Sequence, residues 1–176
     1  CTPWQATQLR KTMKGSLCHE LQTGLPAADV WEVYGSLLLG QLITHLLPDI
    51  LSKVEVVDGD GGVGTVLLYT FPPGIVGLSY QREKFIKVDH ENFVKEALIV
   101  EGGFLDLGFL SYLLRFEIIN ADQGSIIRST VEYEVGDDGA DTASLASTSI
   151  LACVAEAITK HIKVQKSAEQ TPKQAS

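Results

Sequence analysis

Cysteine is scarce in this 176-residue chain. Cys1, Cys18 and Cys153 are odd in number, far apart and without any C-x-x-C spacing. That excludes a cysteine-held zinc site and a dithiol exchange centre, and it fits a reducing compartment, the cytosol. Basic residues are few as well: 14 Lys and Arg face 22 Asp and Glu, a formal net charge of −8. No Lys/Arg stripe interleaved with aromatics occurs, so the field that draws in phosphate backbones is missing and no nucleic acid partner is expected. Long apolar runs are absent too. None reaches the roughly 18 residues of a membrane span, and residues 1–14 lack the apolar core of a secretory signal.

Motifs that mark common chemistries are missing in the same way. No Gly-x-Ser-x-Gly elbow offers a serine nucleophile. His19, His45, His90 and His161 are scattered without Asp, Glu or Cys at ligand spacing, so each reads as a surface or capping residue and no metal is expected. The run Gly59-Asp60-Gly61-Gly62-Val63-Gly64 lacks the Gly-Lys-Ser/Thr ending of a phosphate loop, and the segment after it has the pattern of a strand. It reads as a glycine-rich hairpin. The same test rejects a dinucleotide fingerprint, so no bound cofactor is expected.

What is present is enough apolar residue, 45% of the chain against 20% charged, to build one core. Met13 is the only methionine, and residues 1–12 have no periodicity and read as a vector-derived leader. Residues 13–165 read as a single ligand-binding domain and 166–176 as a flexible polar tail. Within the domain, a first strand is expected at 16–23. A pair of short helices follows, one opened by Pro26 and one over 37–47, ending before Pro48. Strands are expected at 54–57, 65–71, 80–88, 93–100, 112–119 and 126–135, separated by turn-forming residues. Ile150, Val154, Ile158 and Ile162 recur at i, i+4 within 141–163 and give one long helix an apolar stripe. The expected fold is α+β: a seven-stranded curved antiparallel sheet wrapped around a long C-terminal helix, with two short helices. A sheet that curves around a helix without filling the space between them leaves an apolar cavity.

Two charged residues stand among apolar neighbours of their own strands. Glu83 shares a face with Phe85, and Lys95 shares one with Phe93, Ala97 and Ile99. Two readings fit equally: an inward acid–base pair, or a plain cross-strand salt bridge. A hairpin that sets Phe85 opposite Lys95 would put Glu83 opposite Ala97 and diagonal to Lys95. A slip of one residue would send them to opposite faces.

The segments V-E-V-V-D-G-D-G-G-V-G-T-V at 54–66, E-K-F-I-K-V-D at 83–89 and E-G-G-F-L-D-L-G at 101–108 closely resemble the norcoclaurine synthases. Those belong to the pathogenesis-related class-ten, birch-pollen-allergen family of plants, and the resemblance runs from about residue 16 to residue 163. L-P-A-A-D-V-W-E-V-Y-G-S and K-V-D-H-E-N-F-V-K-E are more similar still to members of that family from the amaryllis plants, which join tyramine to 3,4-dihydroxybenzaldehyde. The resemblance implies a helix-grip fold and an enzyme that condenses an aromatic amine with an aldehyde. Glu83 and Lys95 fall on the family's glutamate and lysine. Its tyrosine column holds Gln81, with Tyr80 one place earlier, and its aspartate column holds Leu114.

On this reading Glu83 is the base and Lys95 the acid of an imine-forming condensation, and Tyr80 assists if a bulge turns it inward. Tyr69, Phe85 and Phe104, from the resemblance, and Ile150 hold the aromatic rings. The imine still needs a hydride, which a partner NADPH-dependent reductase is expected to supply. Two other functions compete. A ring-closing Pictet–Spengler enzyme is disfavoured by Leu114. A non-catalytic carrier would have little reason to desolvate an acid and a base.

Overall fold

The structure is a computed structural model that describes residues 11–74 and 78–170. Alternating strands supply β1 (Thr12–Gln22), β2 (Lys53–Asp58), β3 (Val66–Thr70), β4 (Tyr80–Asp89), β5 (Val94–Gly102), β6 (Ser111–Ala121) and β7 (Gly124–Gly136). They form one antiparallel sheet in the order β1-β7-β6-β5-β4-β3-β2. Helices α1 (Ala27–Tyr34) and α2 (Leu38–Leu46) link β1 to β2, and α3 (Ala140–Ala143) and α4 (Ser149–Gln170) close the chain. This is the expected curved sheet around a C-terminal helix.

Parity decides what faces the helix. In β6 the buried set is Tyr112, Leu114, Phe116 and Ile118, and in β7 it includes Ile127, Val131 and Val135. The helical stripe meets them: Val154, Ala155, Ile158 and Ile162 of α4 are all buried, together with Val30, Trp31 and Tyr34 of α1. Burying each of these larger side chains contributes about 1.5–3 kcal/mol. Gly59, Gly61 and Gly64 all take positive φ, and the 59–64 run is the turn between β2 and β3, as a glycine-rich hairpin should be. Cys18 and Cys153 are free.

Three expectations need correction. Strand β1 begins at Thr12, which pairs with Gly136 and donates its hydroxyl to Glu134, so Thr12 belongs to the sheet; residues 1–10 of the expected leader lie outside the described residues. The helix expected over 141–163 is two. Between α3 and α4 the Ser144 hydroxyl donates to Asp141 O at 2.6 Å and Ser147 Oγ takes the Ser149 N–H at 3.1 Å, so serine side chains replace helical main-chain partners. Finally, α4 runs through 166–170, where a flexible tail was expected, and Lys166 there pairs with Asp29 of α1; residues 171–176 lie outside the described residues.

Candidate active site

The hairpin of β4 and β5 carries the charged pair. Asp89 caps its turn, accepting the main-chain N–H groups of Glu91 and Asn92 at 3.0 Å each. Phe93 follows with φ +57, a left-handed conformation held by its ring stacking on Trp31 at 5.4 Å, and Trp31 Nε1 donates to His90 Nδ1 at 3.1 Å. From that fixed turn the ladder runs Asp89 to Val94, Val88 to Lys95 and Lys87 to Glu96, and then shifts so that Phe85 faces Ala97 and Glu83 faces Ile99. Ile86 is the extra residue of a β-bulge. Phe85 was expected opposite Lys95 and Glu83 opposite Ala97; each instead faces the residue two places further along β5.

That bulge puts the acid and the base on one face. Before it the inward residues of β4 are Gln81, Glu83 and Phe85, and after it the inward residue is Val88, across from inward-facing Lys95. Glu83 is 6% exposed and Lys95 2%. Both line an apolar cavity bounded by Leu39 and Ile43 of α2, Leu114 and Phe116 of β6, and Ile150 of α4. Among the described lining residues they are the only charged ones. No ion pair within 4.0 Å joins them, so the alternative of a closed salt bridge does not hold.

Their protonation follows from burial. Desolvation pushes the Glu83 carboxyl up to about 7, against the opposing pull of a hydrogen bond from Gln81, the Lys95 charge and a hydrogen bond from Tyr69. Desolvation likewise brings the Lys95 ammonium down to about 8, opposed by the Glu83 charge. An acid and a base poised near neutrality inside an apolar pocket can exchange protons with a substrate without large energetic cost.

The aromatic positions named from the sequence also line the cavity. Tyr69 of β3 directs its hydroxyl at Glu83, Phe85 lies beneath Lys95, and Ile150 projects from the first turn of α4. Phe104 stacks on Tyr112 at 4.0 Å with the rings 3° apart. Tyr80 is the exception. It sits on the opposite face of β4, where its hydroxyl donates to Glu101 Oε1 at 3.0 Å, and it does not line the cavity. The nearby register shift, between Arg82 and Glu83, does not turn it inward. The residue that takes the inward position is Gln81, 5% exposed, whose Nε2 donates to Glu83 Oε1 at 2.7 Å. Strand parity from Glu83 and Phe85 was the signal for it. Tyr112, Leu151 and Val154 also line the cavity, and as ordinary apolar positions of β6 and α4 they carried no distinguishing mark.

A sheet gripping a helix over an apolar cavity, with a buried carboxyl and amine on one wall, defines a small-molecule site of acid–base type. The chain belongs to the Pathogenesis-related protein Bet v 1 family, whose family model matches residues 12–165. It is 53% identical over 156 residues to norbelladine synthase of Narcissus pseudonarcissus, covering 88% of this chain and 96% of that one. It is 39% identical over 151 residues to S-norcoclaurine synthase of Thalictrum flavum subsp. glaucum, covering 85% of this chain and 71% of that one. Among solved structures, norcoclaurine synthase from Thalictrum flavum in complex with dopamine and hydroxybenzaldehyde superposes with a TM-score of 0.78 at 35% identity, over 92% of this chain and 91% of that one. These relatives are named as synthases, and the chain is an enzyme of their family. No helix of the described residues is long and apolar enough to cross a membrane.

Proposed function

We propose that the chain acts as a norbelladine synthase, condensing tyramine with 3,4-dihydroxybenzaldehyde to the imine norcraugsodine with loss of water. The observation that carries this reading is the buried, unclosed pair Glu83 and Lys95 in an otherwise apolar cavity, and the 53% identity to the Narcissus enzyme supports the choice of substrates.

The amine arrives as an ammonium and must first lose a proton. An alkylammonium resembles the lysine side chain, with a pKa of about 10.4, so a carboxylate held at about 7 is a far better matched base than one at 4.5. Glu83 takes the proton, and the freed nitrogen attacks the aldehyde carbon. A nitrogen proton passes to the oxygen to give the carbinolamine. Lys95 then protonates the carbinolamine hydroxyl, which departs as water while the nitrogen lone pair forms the C=N bond. The iminium proton returns to the Lys95 amine. Glu83 releases its proton to solvent, and both groups are reset. Tyr69, Phe85, Phe104 and Ile150 supply the apolar and aromatic surface that holds the two rings together.

A Pictet–Spengler reading rests on the likeness to the norcoclaurine synthases, but ring closure must remove a proton from the aromatic ring. Leu114 occupies the wall where the resemblance implies an aspartate, and it offers no base. The imine leaves as the product of this protein in our reading, with hydride supplied by a partner NADPH-dependent reductase in a cytosolic setting. The test is product analysis with purified protein, tyramine and 3,4-dihydroxybenzaldehyde, with background subtracted. Norcraugsodine formed above the uncatalysed rate, trapped as norbelladine on adding a reductant, is the expected result. Unchanged substrates, or a tetrahydroisoquinoline from dopamine and an arylacetaldehyde, would overturn it.

A further inference from the structure

The mechanism above leaves one proton without a carrier. When the amine has attacked the aldehyde, the nitrogen bears a positive charge and the new alkoxide a negative one, and a proton must pass between two atoms bonded to the same carbon. Direct passage is poor, because the N–H···O angle within so small a ring falls below the roughly 120° at which hydrogen bonding weakens steeply. The cavity wall is mostly apolar, so the step calls for a side chain that can accept and donate at once.

Tyr69 is such a group. It pairs with Gln81 across the β3–β4 ladder, where Leu67 faces Glu83, so Tyr69 is a diagonal neighbour of the base and its hydroxyl hydrogen-bonds the Glu83 carboxyl. The residue is half-buried and lines the cavity, within reach of a molecule bound there. Helix α2 fixes the ring. A Cβ built on buried Gly40 would lie 3.7 Å from Tyr69 Cε1 and 3.2 Å from Val54 Cγ2. Glycine weakens a helix interior, and here it lets α2 close against the phenol. Glu83 is also faced by Lys95 from β5 and by Gln81 from its own strand, whose Nε2 holds Oε1 at 2.7 Å, while α2 and α4 bring the apolar Leu39, Ile43 and Ile150 to the same cavity.

We infer that Tyr69 is a catalytic residue that, together with Glu83, carries the proton from nitrogen to oxygen. This rests on the proposed function in taking the condensation as the reaction. While Glu83 is ionised, the phenol donates to it. Once Glu83 has taken the ammonium proton the bond reverses: the carboxyl donates to the phenol oxygen, and the phenol O–H is released toward the alkoxide on the carbon just attacked. The phenol gives its proton to the alkoxide and receives the Glu83 proton in its place. The Glu83 carboxylate so formed takes the proton from the charged nitrogen. One proton has then moved from nitrogen to oxygen, with Tyr69 neutral and Glu83 protonated as before the step. Burial and the Glu83 charge hold the phenol well above its usual pKa, so it passes the proton on without resting as a phenolate.

The reversal is read without turnover from the Tyr69 ζ-carbon, followed by NMR across pH in the protein alone. Its shift is expected to step with Glu83 near pH 7 and to lose that step in Glu83→Gln. Turnover with tyramine and 3,4-dihydroxybenzaldehyde is then measured across pH for Tyr69→Phe, which keeps the ring. The limiting rate fitted to the pH profile is expected to fall at least about tenfold. Both KM values should stay within about twofold of wild type. The acid limb should also move up, since the hydroxyl favours ionised Glu83. A variant carrying 3-fluorotyrosine at position 69 retains an O–H and is expected to keep the limiting rate within about threefold. A Tyr69→Phe protein whose acid limb moves while its limiting rate stays at the wild-type value would overturn the inference, because the hydroxyl would then only hold the carboxylate. A fluorotyrosine variant as slow as Tyr69→Phe, or a ζ-carbon that does not sense Glu83, would overturn it too. A wild-type protein that shows the step but makes no imine would instead overturn the proposed function and leave the reversing hydrogen bond in place.

Discussion

The Lys95 ammonium lies 4.5 Å from the centre of the Phe85 ring, over the face of a side chain that is itself 1% exposed. The ring's negative face supports a charge that burial opposes, an attraction of about 2 kcal/mol in a desolvated setting. Phe85→Leu removes that support and should take the Lys95 pKa below its present value near 8. The alkaline limb of the condensation rate profile is then expected to move down by roughly one pH unit, since one unit corresponds to about 1.36 kcal/mol. A pH–rate series on the two proteins checks it; an unmoved alkaline limb would remove Lys95 as the acid.

Replacing either partner tests the mechanism directly. Glu83→Gln keeps the shape and the contact with Gln81 but cannot accept a proton. Lys95→Ala removes the donor for the departing hydroxyl. Each is expected to lower turnover by at least about tenfold, at the modest end of general acid–base effects. Circular dichroism shows whether the variants stay folded, and turnover is expressed per folded molecule. Folded variants with normal rates would remove Glu83 and Lys95 from the roles of base and acid.

Stability should depend on pH in a way set by the same two groups. Glu83 has a folded pKa raised from 4.5 to about 7, so its contribution is fully present below 4.5 and is lost as pH rises through 7. Lys95 is lowered from 10.5 to about 8, so the penalty it carries is relieved as pH rises from 8 toward 10.5. The weakest stability due to this pair falls between the two. Glu83→Gln is therefore expected to melt higher than wild type at pH 7.5, by on the order of 2 kcal/mol, with Lys95 losing its partner as the offset. The difference should vanish near pH 4.5. Thermal melts at three pH values would decide, and a uniform loss of stability at all of them would contradict the assignment.

Tyr80→Phe provides the contrasting case. The hydroxyl it removes bonds Glu101 on the outer face of β4 and reaches no part of the cavity. Turnover is expected to stay within about twofold of wild type, as for an exposed hydrogen bond with little net energy. A tenfold drop in kcat would mean that Tyr80 reaches the substrate.

Most of the architecture was legible because turn-forming residues separate the strand runs and α4 shows one clean stripe. Ile150, Val154, Ile158 and Ile162 could be read without knowing what they touch. The site was legible in its chemistry and less so in its geometry. Glu83 and Lys95 stand out as charges among apolar residues, yet period-two reasoning carries no marker for a bulge, and Ile86 is an ordinary strand residue. The choice between Tyr80 and Gln81 failed for another reason, since the parity of Glu83 and Phe85 pointed to Gln81. A phenol looks the more reactive, whereas the backbone had already assigned the inward position to the amide. The break between α3 and α4 was hidden because helical periodicity resumes in phase at Ile150, and only the serines at 144, 147 and 149 mark the interruption.

The bulge at Ile86 makes the site depend on counting. Side chains along β4 can be exchanged one at a time and the acid and base will still look into the same space, because the backbone path sets their direction. Removing or adding a single residue between Glu83 and the fixed turn at Asp89 would reverse the face of everything on the far side of the change. Glu83 would then point to water while Lys95 stayed buried without a counter-charge. The hairpin should accordingly be tolerant of substitution and intolerant of single-residue changes in length. Transplanting this activity onto another sheet of the same family would require copying the spacing of twelve residues from Glu83 to Lys95 together with its one unpaired residue, and not the two side chains alone.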